Sequence, residues 1–88
     1  MMAQFMVVST FFEGADMREV LQVVEEEKAK VKELQEQGRL GQIRLAVPQG
    51  KVFLDVFAND EDEAIATVKE LPMARWWSLD AYTLSGTA

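Results

Sequence analysis

The chain has 88 residues, 49% of them apolar, and a net charge of −6 from 15 acidic and 9 basic side chains. That is one domain with enough apolar surface for a core and too little length for two, and an acidic chain without a basic cluster repels a phosphate backbone. The absence of cysteine excludes disulfides and thiolate chemistry, and the absence of histidine removes the usual near-neutral base and the commonest zinc ligand.

The first element expected is a strand over Gln4–Phe12, apolar on both alternating faces: Phe5, Val7, Ser9 and Phe11 on one, Met6, Val8, Thr10 and Phe12 on the other. No basic leader precedes it, and no apolar run approaches a membrane span. The expected location is therefore the cytoplasm, with neither nucleic acid nor membrane as partner.

After Glu13-Gly14-Ala15, Asp16 stands where an N-cap belongs, with Glu19 in the capping-box position. One helix is expected from there to about Gln37, ended by Gly38 as a C′ glycine. Its apolar stripe is Met17, Val20, Leu21 and Val24, resuming at Val31 and Leu34. Regular continuation puts an apolar side chain at 27 or 28, but the chain has Glu27 and Lys28 there. At about 100° per residue they fall roughly 40° and 60° from the stripe's centre, on opposite flanks. A charge turned towards an interior is costly unless paired, hydrated or used, so Glu27 is the first candidate for acid–base chemistry, with capping of a neighbouring donor as the structural alternative.

Leu40–Val47, the turn Pro48-Gln49-Gly50 and Lys51–Ala58 read as a hairpin. Val52, Leu54 and Val56 share one face of its second strand; Phe53, Asp55 and Phe57 share the other. Asp55 between two phenylalanines is a candidate for a cavity, and Arg44 a candidate to pair with it or to bind a ligand carboxylate. Asn59-Asp60 opens another helix with the stripe Ala64, Ile65, Val68 and Leu71, closed by Pro72. The last strand spans about Arg75–Leu84. Of its adjacent tryptophans, Trp76 and Trp77, at most one faces a cavity shared with Glu27.

The order β-α-β-β-α-β is the ferredoxin-like split βαβ arrangement, an α+β fold with a four-stranded antiparallel sheet. Two helices cover one sheet face only, yet the strands are apolar on both. A homodimer through the sheet faces is the expected partner, with a larger ring of dimers left open.

Glu27-Lys28 lie eleven and ten residues before Gly38, and Leu71-Pro72-Met73 leads into a last strand with Trp76 and Leu84. In these features, over about Phe5–Leu84, the chain resembles the muconolactone delta-isomerase family of dimeric α/β-barrel proteins. The resemblance implies a double-bond shift in an unsaturated lactone, without metal or organic cofactor, on a small-molecule substrate. It assigns proton transfer to Glu27 beside Lys28, and matches Arg44 to a family arginine after a shift of one residue. Gly41 and Gln42 stand where the family carries bulkier side chains. Glu27 and Lys28 are thus the expected catalytic pair, and Arg44, Asp55 and Trp76 the expected substrate-binding residues. Two other readings stay open: cyclisation or cofactor-independent oxygenation of a polyketide-like substrate in the same cavity, or a binding and oligomerisation module in which Glu27 only pairs with a cation. A cavity beside Glu27 separates the enzymes from the module, whose helix–sheet interface is filled.

Overall fold

The computed structural model describes residues 2–85. Its elements are β1 (Ala3–Phe11), α1 (Met17–Gln22), α2 (Val24–Glu36), β2 (Leu40–Ala46), β3 (Lys51–Ala58), α3 (Glu61–Lys69) and β4 (Trp77–Thr83), with short 3-10 turns at Val47–Gln49 and Pro72–Trp76. The sheet order is β2-β3-β1-β4, with every neighbouring pair antiparallel. This is the expected ferredoxin-like α+β arrangement.

The alternation expected for the central strands holds. On β1 and β3 the side chains of Phe5, Val7, Ser9, Val52, Leu54, Val56 and Ala58 are buried beneath the helices, and the intervening positions lie on the open face. Ser9 is tolerated there because its hydroxyl donates to the Val52 carbonyl at 3.2 Å. The two crossovers differ in how closely they approach the sheet. Helix α3 presents Ala64, Thr67 and Val68, all fully buried, and packs on β1, β3 and β4. Helix α2 rests chiefly on β2 and the Pro72–Trp76 turn, and buries only Leu34 completely.

The helix expected from Asp16 to Gln37 is broken at Val23 (φ −106°, ψ 10°). Val23 and Val24 are adjacent β-branched residues, the weakest helix formers of the segment. The break swings α1 aside, so Val20 is buried but Met17 and Leu21 are exposed. The capping box also takes another form: the Asp16 carboxylate accepts from the Arg18 N–H at 2.9 Å, not from that of Glu19.

Gly38 ends α2 as expected. At φ 74° it allows a Schellman closure, with the Gly38 and Arg39 N–H groups donating to the Gln35 and Leu34 carbonyls at 3.0 and 2.9 Å. Arg39 then reaches α3, donating to the Thr67 hydroxyl at 3.2 Å and pairing with Glu70. Glycine at 41 has a steric cause. A Cβ there meets Asp55 Cβ at 3.1 Å and the Phe57 ring at 3.2 Å, beside the irregularity between Leu40 and Ile43 where β2 slips against β3.

Pro72 does more than follow a helix. Helix α3 ends at Lys69, and Pro72 opens the 3-10 turn that carries the chain to β4, which begins at Trp77 rather than Arg75.

Candidate active site

Because α2 stands off the sheet, a cleft of about 870 Å³ opens between α1–α2 and the β2–β3 hairpin. Its inner wall is apolar: Val24 and Val31 from α2, Ile43 from β2, Val52 and Leu54 from β3, Phe11 and Trp77 from the strand ends. Among the described residues, Glu27 is its one carboxylate.

Glu27 is half-buried, and its position follows from the turn at Pro72. The first N–H groups of a helical turn have no acceptor within it, and proline supplies none. Met73 is the first residue of the turn with such a donor, and its N–H donates to Glu27 Oε1 at 2.9 Å. The carboxylate therefore caps a neighbouring donor, as the structural alternative expected. It also lines an apolar cleft, and its Oε2 makes no hydrogen bond to the protein among the described residues. Burial raises the Glu27 pKa above its ordinary value, and the Met73 hydrogen bond partly opposes this. The Lys28 ammonium turns away towards Glu25, 3.9 Å distant, with 72% of its side chain exposed.

The expected site residues separate into two groups. Glu27 and Lys28 line the cleft, Lys28 at its margin, with Lys32 one turn further along α2. Arg44 and Asp55 do not join them. Register pairs Arg44 with Phe53, on the sheet face opposite the helices, and Asp55 is two residues along that same face. The two make no ion pair; Arg44 donates to Gln42 at 2.8 Å. Trp76 is also outside the cleft, in the 3-10 turn, with the Arg75 guanidinium 4.9 Å above its ring. Trp77, the first residue of β4, takes the place expected of Trp76, which falls in the turn before the strand. It packs edge-on to Phe11 with ring centroids 5.8 Å apart, and its indole N–H is buried without an acceptor among the described residues. Met73 meets Glu27 through its backbone N–H, which no side-chain pattern marks; the proline that opens the turn is the signal available for that free donor. No group of three carboxylates among the described residues converges as a metal site.

Residues 4–86 match the family model of muconolactone delta-isomerase. The chain belongs to that family. Comparison with curated proteins gave no significant match. Membership agrees with the fold and points to a muconolactone isomerase-like function. No helix among the described residues is long and apolar enough to cross a membrane.

Proposed function

We propose that the chain is an isomerase that moves a double bond in an unsaturated lactone, or in a related enolisable carbonyl compound, with Glu27 carrying the proton. The observation that carries this reading is a half-buried carboxylate with a raised pKa in the wall of a largely apolar cleft. In the reaction, ionised Glu27 takes a proton from the carbon at one end of the allylic system. The electron pair delocalises onto the lactone carbonyl oxygen as a dienolate. The same carboxyl group then returns the proton at the other end, two carbons away, so atoms balance and no electrons change hands. A raised pKa suits both halves, because the carboxylate is a stronger base and its acid form persists closer to neutral pH. The Met73 N–H holds Oε1 and so fixes the group's orientation. Lys28 and Lys32 place positive charge only at the cleft margin. Arg44 and Asp55, on the other sheet face, have no part in this chemistry.

The test is muconolactone isomerisation followed by ultraviolet absorbance. Glu27→Gln keeps an acceptor for Met73 but cannot take a proton, and lowers turnover by about 10²–10⁴-fold with an unchanged circular dichroism spectrum. Equal activity in the two proteins removes Glu27 from the mechanism. In the native protein kcat/KM falls on the acid side, with a midpoint above the ordinary glutamate value of 4.5.

The proposal extends to a homodimer through the open sheet face. Met6, Val8, Phe53 and Phe57 are only half-buried there, and Tyr82 is exposed. A second copy is the economical cover for such a surface. Val8→Glu, at the centre of β1, converts the dimer to monomer in sedimentation equilibrium; a dimer that survives it uses another surface.

A further inference from the structure

The cleft is larger than a lactone ring requires, and its outer part is built differently from its inner part. A volume of about 870 Å³ lies in the upper range of pockets for drug-sized ligands, roughly 300–1,000 Å³. Its mouth is formed by Leu21 of α1 on one side, and by Leu45 of β2 and Val47 of the following turn on the other. These side chains are 67, 68 and 76% exposed. With Met17 they make up half of the eight large exposed apolar residues among those described, gathered around one opening. The cations are marginal. Lys28 turns to Glu25, Lys51 donates to Thr10 at 2.8 Å, Lys32 is exposed, and no arginine lines the cleft. A polar side group has few partners between Glu27 and the rim, whereas a hydrocarbon has apolar wall throughout.

We infer that the substrate carries an apolar chain, which runs from the reacting lactone or enone beside Glu27 out between Leu21 and the Leu45–Val47 lip. This rests on the Glu27 reading for the position of the reacting group. Each methylene laid against these walls leaves water, which corresponds to roughly fourfold tighter binding per methylene.

The test uses two series of γ-alkyl lactones, with chains from methyl to hexyl: the β,γ-butenolides as substrates, and the saturated lactones, which have no double bond to move, as ligands measured by calorimetry. The inference requires affinity for the saturated series to rise with each methylene by about fourfold, and kcat/KM for the butenolides to rise in parallel. Leu45→Ser with Val47→Ser flattens both slopes, and Leu21→Ser, on the opposite lip, flattens them independently. A flat series in the native protein overturns the inference. So does a slope that survives both sets of substitutions while sedimentation shows a changed assembly, since the lips are then a contact between copies. Failure of the Glu27 reading looks different: no butenolide is turned over, or Glu27→Gln turns them over normally, while the saturated lactones still report on the chain.

Discussion

The two crossovers of the fold use the same layer arrangement for opposite ends. In the β3-α3-β4 half, small side chains let the helix lie flat on the sheet, where Ala64, Thr67 and Val68 are fully buried and a smaller groove of about 500 Å³ remains along β4. In the half containing β1, α1–α2 and β2, the helix breaks at Val23, leans on the 3-10 turn and leaves a cleft. Each half carries one glutamate with a shifted pKa, and the shifts are opposite. Glu70 is held below its ordinary value, chiefly by hydrogen bonding to Arg39, with Lys30 adding to it. Glu27 is raised by burial, with no cation opposing it. A carboxylate that meets a cation contributes to holding the chain together; one kept from cations in an apolar wall is poised to exchange a proton.

The largest test of this contrast is activity. Glu27→Gln lowers turnover by about 10²–10⁴-fold, whereas Glu70→Gln, remote from the cleft, leaves kcat/KM within about twofold, less than half of the 1.4 kcal/mol that a tenfold change represents. Comparable losses in the two variants dissolve the distinction.

Packing gives the next effect. Ala64→Leu forces three extra carbons into a closed interface and destabilises by about 1–3 kcal/mol. Val31→Leu, on the half-buried wall of the cleft, has room for its extra carbon and changes stability by no more than about 0.5 kcal/mol. Urea unfolding of both variants measures the difference, and equal costs mean that the cleft collapses in solution.

The fold was legible because it rests on periodicity. The two-faced alternation in β1 and β3, the glycine after α2 and the Pro48-Gln49-Gly50 turn are local signals that tertiary packing reinforced. Glu27 was legible for the same reason, as a charge interrupting a stripe. That Arg44, Asp55 and Trp76 lie outside the cleft is not legible in the same way. Period-two patterns divide a strand into two faces without saying which one the helices cover, and β4 starts at Trp77, two residues after the expected Arg75, which leaves Trp76 in the turn. The Met73 contact joins residues 46 apart in sequence, and only the fold brings them together.

The third test sits on the structural side. Arg39→Ala removes a hydrogen bond to the buried Thr67 side chain and a screened pair with Glu70. The expected cost is about 0.5–1.5 kcal/mol. The Glu70 part of it has a defined pH dependence. The folded pKa is lowered, so this stabilisation is present above the unfolded-state value near 4.5 and is lost as pH falls through the folded value. The gap in thermal unfolding between native and Arg39→Ala protein narrows in acid to the Thr67 part; a gap that stays constant assigns the whole effect to Thr67.

The smallest effect has the opposite sign, and it probes Glu27 without any substrate. Its folded pKa lies above the unfolded value of 4.5, so between those values the folded state binds more protons, and stability falls as pH rises through that window. Above it the native protein bears a constant cost for an ionised carboxylate in the cleft. The amide introduced by Glu27→Gln does not titrate and still accepts from Met73. Glu27→Gln is therefore as stable as the native protein below the ordinary glutamate range, and melts higher at neutral pH by about 1–4 °C, the scale of a sub-kilocalorie change in a domain of this size. Calorimetry at the two pH values reads this directly. A lower melting temperature for Glu27→Gln at neutral pH means that the charge is compensated, and the basis for treating Glu27 as a strengthened base is lost. A gain in stability joined to a loss of turnover is the signature of a carboxylate kept in an unfavourable place because its chemistry requires it.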